Sequence, residues 1–546
     1  MGYPGSLHNH TDFSNLRLRD AIVRSNELID YAIELGHEVV AFTEHETVAN
    51  AIKIEKYYKK VKQKHPDFKV IFGNEIYLCR DGLDGQNFER GADRYYHFIL
   101  LAKDAIGHQQ IRELSTKAWI RSYKTGRMRR VPTYYQDLID VLTANPGHII
   151  GSTACLGGFI DTKLLQWVNM GRPDGLYQQI IGWVKNMESL FGKGNFYLEL
   201  QPAANDEQEC ANRELLALSE ITGIPYIITT DTHYLKKEDA PIHKAFLNSQ
   251  EGDREVDSFY ATTYLMSTTE IESYFHNFSE LQLNTAYQNI RKIKEMCEDF
   301  SLLKPLNIPS LPWREPARFH TFATVEKYLK EIPLLQTFMN SDFAGDRRMF
   351  QLIIEKLESD PRLQYRESYD EINDNLRIIW ESSEVNNAHW SAYFLNLQKI
   401  LDHCWDSGTV VGPGRGSGVG FYLLYILDII QINPLWESTK TYSWRFLNPK
   451  RVSVLDIDTD IEGGRRASTL QYLRKAYGED RVANVATFGT EKSKSAVQTA
   501  ARGLGIDVDV ATYIASLIPA DRGQLRSLHQ CYYGDDDYPA IPLFIA

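Results

Sequence analysis

The chain has 546 residues, more than one hydrophobic core ordinarily holds, so two or more domains are expected. It is 43% hydrophobic and 24% charged, a globular composition, and it has no run of the roughly 18 apolar residues that a membrane span needs. A net charge of −12 argues against a protein that merely coats nucleic acid, and it suits carboxylate clusters that hold cations.

Over the first 240 residues, short apolar runs alternate with helix-like segments. The runs are 6–10, 38–43, 69–73, 97–102, 148–152, 196–200 and 225–230, and helical patterning is clear at 21–35 and 207–222. Strand–helix alternation predicts a parallel sheet, and about seven such units predict a (β/α)7 barrel, an α/β fold. From about 250 to 400 the pattern is mainly helical, with joints at Pro305, Pro309, Pro312 and Pro316. It turns mixed over 405–490 around a glycine-rich turn, and 492–504 and 510–517 read as helices. The start of the chain has no charged stretch followed by an apolar run, so no secretory signal is expected. The six cysteines (79, 155, 210, 297, 404 and 531) are scattered with no CxxC spacing. This predicts a cytoplasmic protein with neither a disulfide framework nor a zinc finger.

Residues of metal-ligand type gather at the ends of the barrel runs: His8, His10, Asp20, His45, Glu75, His97, Cys155, Asp231 and His233. Strand ends and the loops after them converge at one face of such a barrel. Imidazole, carboxylate and thiolate together suit zinc, manganese or iron. Nine groups exceed the needs of one ion, so two or three ions sharing carboxylates are expected. Paired ions about 3.5–4 Å apart activate water and stabilise an in-line phosphoryl displacement, which makes phosphoester hydrolysis the expected chemistry.

The second concentration of chemistry begins at Val411-Gly-Pro-Gly-Arg-Gly-Ser-Gly-Val-Gly420, before an apolar segment at 421–430 that reads as a helix. Glycines let backbone N–H groups approach an anion, and a helix N-terminus favours negative charge. Arg415 and Ser417 add donors. The terminal Lys-Ser/Thr of a Walker A loop is missing, and by itself such a stretch is equally a plain turn. Further on lies Leu455-Asp-Ile-Asp-Thr-Asp460. In a strand, Asp456, Asp458 and Asp460 share one face, where like charges repel unless a cation neutralises them. Two Mg²⁺ ions are the natural choice beside a nucleoside triphosphate, the plainer alternative being a solvated acidic edge strand.

These motifs resemble a known family. His8-Asn-His10-Thr-Asp-Phe-Ser, Thr43-Glu44-His45, Gly73-Asn-Glu75, His97 in HFILLAKD, Cys155 in TACLGG and Asp231-Thr-His233 resemble the motifs of the PHP (polymerase and histidinol phosphatase) domain that opens bacterial polymerase III α subunits. The strings GPGRGSG, RFLNPKRVS, DIDTD and ATFGTEKSKSAVQTAARGLG follow the order of C-family polymerases. The resemblance implies a PHP barrel at 1–285, the first part of a polymerase-β-like palm at 286–487 and part of a helical thumb at 488–546. It implies that Gly416 and Ser417 hold the incoming triphosphate, that Asp456 and Asp458 are the catalytic metal ligands, with Asp460 in support, and that Arg415, Arg445 and Arg451 meet phosphates. Two departures stand out: Glu44 replaces the family's aspartate before the histidine, and Leu455 replaces its proline.

The implied activity is DNA-directed DNA polymerisation on a primer–template with deoxynucleoside triphosphates, alongside a 3′–5′ exonuclease at the barrel. The family's third catalytic aspartate has no match, which predicts poor extension by this polypeptide alone, with either a second polypeptide that supplies the remainder or a gene that is split or truncated. The competing expectation is a stand-alone metal-dependent phosphoesterase. Basic residues at 121–130 and at Arg465, Arg466, Arg474, Lys475, Lys492, Lys494 and Arg502 are candidate DNA contacts.

Overall fold

The computed structural model describes residues 2–79, 95–125, 128–249, 259–309, 322–449, 455–521 and 523–545. They form two compact units, one of residues 1–303 with 489–546 and one of residues 304–488.

The first unit is built on a curled seven-stranded sheet. Its strands are β1 (Val39–Phe42), β2 (Lys69–Cys79), β3 (Tyr96–Ala102), β4 (Thr133–Tyr134), β5 (Ile149–Ser152), β6 (Phe196–Leu200) and β7 (Tyr226–Ile228). They run β1-β2-β3-β5-β6-β7, with β4 on β2. Parallel pairing joins β1 to β2 (Val40 opposite Val70), β5 to β6 (Gly151 opposite Phe196) and β6 to β7 (Glu199 opposite Ile227). Each of these connections carries a helix: Ala51–Lys62, then Phe159–Asn169 with Asp174–Phe191, then Asp206–Thr222. The strands are continuous apolar runs because helices and core cover both faces.

Two expectations need correction. The sheet is mixed, because β3 is antiparallel to both β2 and β5 (Glu75 opposite Ile99, Leu100 opposite Gly151). β2 runs past its expected end at residue 73 to Cys79, leaving only 80–95 before β3. The run 6–10 is not a regular strand, having only one parallel bridge, between Asn9 and Thr232. It still fills the gap between the sheet edges. Val39, Ala41 and Thr43 donate their N–H groups to Pro4, Ser6 and Asn9 on one side, and His10 N–H donates to Thr232 O (2.8 Å) on the other. The entry into this segment depends on Gly5, whose φ is +131° and where a Cβ would stand 1.9 Å from Val39 O.

The C-terminal helices form near their expected places, at Ser493–Gly503 and Val508–Ser516. The first packs on helix Ala240–Asn248 so closely that a Cβ at Gly503 would lie 1.8 Å from Ala245 O.

The second unit is largely helical. Helices Ala344–Ser359, Arg366–Asn386 and Trp390–Asp406 enclose Ile353, Ile354, Ile372, Leu376 and Phe394, together with Tyr422–Leu424. Two further corrections apply here. The expected strand through Asp456–Asp460 is an extended segment with no ladder among the described residues, pairing only through the bridge Val411–Ile461. The expected helix at 421–430 is reduced to Tyr422–Ile426 after a 3-10 turn at Gly416–Gly420.

Candidate functional site

The structure brings all nine predicted barrel residues together. Buried triads form from His10, His45 and His233, from His8, His10 and Glu75, and from Glu75, His97 and Cys155, so Glu75 is shared. His8 Nε2 and His10 Nε2 lie 3.1 Å apart, and each is 3.1 Å from Asp231 Oδ1. Asp20 Oδ2 is 3.1 Å from His45 Nε2 and 3.6 Å from His233 Nε2. Glu75 reaches His97 Nδ1 at 2.7 Å through Oε1 and His45 Nδ1 through Oε2, while Cys155 Sγ is 3.4 Å from His97 Nδ1. Asp231 is held with φ +46°, a backbone region that non-glycine residues enter rarely and mostly at functional sites.

Partners outside the cluster set the ring orientations. His8 Nδ1–H donates to Glu199 Oε1 (2.6 Å), so Nε2 is the nitrogen turned inward, where it offers a lone pair once a cation displaces its proton. Ser14 Oγ–H is committed to Glu44 Oε2 (2.6 Å), so His10 Nδ1 is the donor to Ser14 Oγ (3.0 Å) and His10 Nε2 also offers a lone pair. Two imidazole lone pairs and a carboxylate oxygen thus converge on one point. Among the described residues Asp20 Oδ1 is buried with no hydrogen-bond partner, and the buried Glu75 Oε1 and Asp231 Oδ1 face histidine nitrogens of the cluster. That donor set fits cations.

In the metal-free cluster protons take the cations' place. Burial opposes charge on His8, yet Asp231, Glu199 and Glu75 override it and raise its pKa to about 9. Burial likewise opposes charge on His45, but Asp20 and Glu75 raise it to about 10. His10, buried and beside His45 and His233, is pushed down to about 3. Burial also works against ionised Asp20, Glu75 and Asp231, but the histidines outweigh it and hold all three carboxyls below their ordinary range.

Glu44 stands outside the ligand cluster. It accepts from Thr11 N–H (2.8 Å), Thr11 Oγ1, Ser14 Oγ and Asn50 Nδ2 (3.2 Å). Glu199 was absent from the sequence candidates, although it too sits near the C-terminal end of a barrel strand. Besides orienting His8, it accepts from Ser152 Oγ and Thr229 Oγ1, each at 2.6 Å.

The glycine turn and the aspartate row, far apart in sequence, meet in the second unit. Gly412 N–H donates to Asp460 O (2.8 Å), and Glu462 N–H to Val410 O (2.9 Å). Gly416 has φ +68°, and a Cβ there would stand 2.9 Å from Asp458 Oδ2. Although 456–460 has no ladder, its period of two survives: Asp456, Asp458 and Asp460 are exposed while Leu455 is buried. Leu455 O accepts from Tyr393 OH (3.1 Å), which anchors the segment despite the missing proline. Arg415 reaches Asp460 Oδ1 at 3.3 Å and Asp458 Oδ2 at 3.9 Å. All three side chains are largely exposed, so these pairs add little stability. Arg445 is exposed on a turn that abuts the glycine turn, since a Cβ at Gly420 would lie 3.0 Å from Tyr442 O. Ser417 lies within that turn, and Arg451 lies outside the described residues. The basic stretch 121–130 is partly tied up locally: Arg121 forms a two-pronged pair with Asp137, and Arg129 donates to Ser122 Oγ (3.0 Å).

Residues 6–203 match the PHP domain model, and residues 351–537 match that of the bacterial DNA polymerase III alpha NTPase domain. The chain is 36% identical to a DNA-directed DNA polymerase of Bacillus phage SPbeta over 98% of its own length and 42% of the phage protein. It is 29% identical to the DNA polymerase III subunit alpha of Borreliella burgdorferi over 94% of this chain and 40% of that one. The Aquifex aeolicus subunit is also 29% identical, over 96% and 42% respectively. The chain therefore spans about two fifths of the length of these relatives. Among the described residues no helix is long and apolar enough to cross a membrane.

Proposed function

We propose, from the match of residues 6–203 to the PHP domain model and of residues 351–537 to the bacterial DNA polymerase III alpha NTPase domain model, that the chain carries two active centres of a DNA-directed DNA polymerase of the polymerase III alpha kind. One transfers nucleotides at the glycine turn and aspartate row, and the other hydrolyses phosphoesters at the barrel cluster. The observation that carries the first is the meeting of Gly416 with Asp458, which brings a backbone surface for phosphate against carboxylates for its cations.

At the turn, Asp456 and Asp458 would hold Mg²⁺, with Asp460 beside them. Mg²⁺ bridging a nucleoside triphosphate neutralises charge that develops during phosphoryl displacement. The missing side chain at Gly416 leaves room for phosphate oxygens next to Asp458. Arg415, which leans on Asp458 and Asp460 without a cation, would be released toward the triphosphate. Arg445 and Arg451 are the further phosphate contacts of this reading. The substrates are deoxynucleoside triphosphates and a primer–template, and in this reading a second polypeptide supplies the remaining carboxylate.

In the barrel, His8, His10, Asp20, His45, Glu75, His97, Cys155, Asp231 and His233 would hold two or three ions of zinc, manganese or iron. Such ions supply an activated water and stabilise the oxygens of an in-line displacement. The protein holds the His8 and His10 rings in place through Glu199 and Ser14. The expected activity is 3′–5′ removal of nucleotides.

The test uses a 5′-labelled primer–template with a 3′ mismatch, incubated with the chain, Mn²⁺ and deoxynucleotides. Shortening is expected, lost in Asp231→Asn and kept in Asp456→Ala. Shortening that survives chelation contradicts the barrel reading. Extension by the complete enzyme that survives Asp456→Ala contradicts the polymerase reading.

A further inference from the structure

The loop from His10 to Asp20 carries a residue that the metal cluster does not use. Arg17 is only 7% exposed. Its Cζ sits 3.9 Å from the centre of the Tyr77 ring. Its Nε is buried and has no acceptor. Its guanidinium forms no ion pair and no side-chain hydrogen bond with any described residue. Glu46, the carboxylate whose field reaches Arg17, spends Oε1 on Tyr77 N–H (2.7 Å) and Thr133 Oγ1 (2.8 Å), while its buried Oε2 forms no hydrogen bond to Arg17 or to any other described residue. A guanidinium cannot shed its charge, and burying one without a counter-ion is costly. A fold that retains such a group in this position leaves it for an anion that arrives from outside.

The surroundings identify which anion. The Tyr77 hydroxyl lies 3.1 Å from His45 Nδ1, and the Tyr77 ring centre is 4.7 Å from that of His97. His97 has 22% side-chain exposure, whereas the side chains of His8, His10, Asp20, His45, Glu75, Asp231 and His233 are at most 4% exposed. Solvent therefore meets the cluster at His97, and Tyr77 is the wall beside it. The Arg17 guanidinium carbon stands over the Tyr77 ring. The cation–π contact anchors the guanidinium without using its N–H donors. A planar fork of N–H donors matches the oxygens of a phosphate group.

We propose that Arg17 binds the phosphate group of the substrate at the barrel centre, taking non-bridging oxygens of a nucleic-acid phosphodiester as it enters past His97. The proposal rests on the phosphoesterase reading of the barrel, and its test is read separately from hydrolysis.

The test is calorimetric titration of inorganic phosphate into the full chain loaded with Mn²⁺, for wild type, Arg17→Ala and Arg17→Lys. Bound Mn²⁺ and thermal melting are measured on the same samples. Phosphate binding by wild type is expected, with affinity reduced about tenfold or more in Arg17→Ala and by a smaller factor in Arg17→Lys, at unchanged Mn²⁺ content. No phosphate binding by wild type overturns the proposal, as does equal binding by Arg17→Ala. If Arg17→Ala does not fold, Arg17→Lys decides: wild-type affinity, or a loss that merely follows lost Mn²⁺, overturns it. A wild-type chain that binds phosphate through Arg17 yet cleaves no DNA would refute the phosphoesterase reading and leave the anion site standing.

Discussion

Replacing Gly157 with alanine isolates one part of the barrel centre. A Cβ at Gly157 would stand 3.0 Å from Cγ and Nδ1 of His97 and 3.1 Å from its Cδ2. Ordinary contact begins near 3.4 Å, so the ring must retreat by several tenths of an ångström. It has little freedom to do so. His97 N–H donates to Gly157 O (3.1 Å), and Nδ1 is held at 2.7 Å from Glu75 Oε1. Gly157 has no left-handed backbone, so the substitution acts through this collision alone. Metal–ligand distances tolerate about 0.2 Å, and disturbing a ligand's support typically weakens metal affinity about 10- to 100-fold. The ion bound by Glu75, His97 and Cys155 should therefore be lost first, while His10, His45 and His233 keep theirs. The assay is metal analysis by mass spectrometry after dialysis against graded chelator. Wild-type retention at every chelator concentration would refute the reasoning, as would loss of all ions in one step.

Loading metal into the chelator-treated chain near neutral pH should release protons from His8 and His45, whose metal-free values of about 9 and about 10 leave both charged. Because these values are raised, the stabilisation from their carboxylate pairs is complete below the ordinary histidine value and is lost as pH climbs through about 9 to 10. Metal affinity should rise over the same window, and titration in weakly buffered indicator solution would expose the error if no protons appear. Glu199→Gln should weaken metal binding by about 10- to 100-fold without changing any ligand, because His8 loses its charged orienting partner; unchanged affinity by chelator competition would count against that role. Gly416→Ala should cost about 1–2 kcal/mol through its left-handed backbone and should crowd Asp458. Mg²⁺-dependent deoxynucleotide binding is the readout, and unaltered affinity with a lowered melting temperature would assign the glycine to folding only.

Most of the cluster was legible because barrel strands deliver their ends to one face, although His97 opens the antiparallel β3 and Asp20 lies on the loop after residue 10. The same rule reaches Glu199, whose place in a run of apolar residues hid it as an ordinary strand position. Arg17 carried no such signal, since its burial comes from a loop folding back on Tyr77. The direction of β3 could not be read from periodicity, because apolar period reports burial and is blind to polarity along the strand. The lone bridge at residues 6–10 has a similar cause. Asn9 turns its amide onto Ser6 O and Ala41 O, replacing regular ladder bonds with side-chain ones. At Asp456–Asp460 exposed aspartates alternate with half-buried residues, as a period of two implies, but a ladder depends on neighbouring chain that the local pattern does not specify.

The central claim is that the barrel residues form a multi-ion centre, and metal content tests it most directly. The chain would be purified without chelator, loaded with Mn²⁺, freed of loose metal and analysed alongside Asp231→Asn, with circular dichroism to verify that both are folded. Two or more ions per wild-type chain, and fewer in the variant, are the predicted result. A folded wild-type chain that retains less than one ion, or a variant that retains as many as wild type, would contradict it.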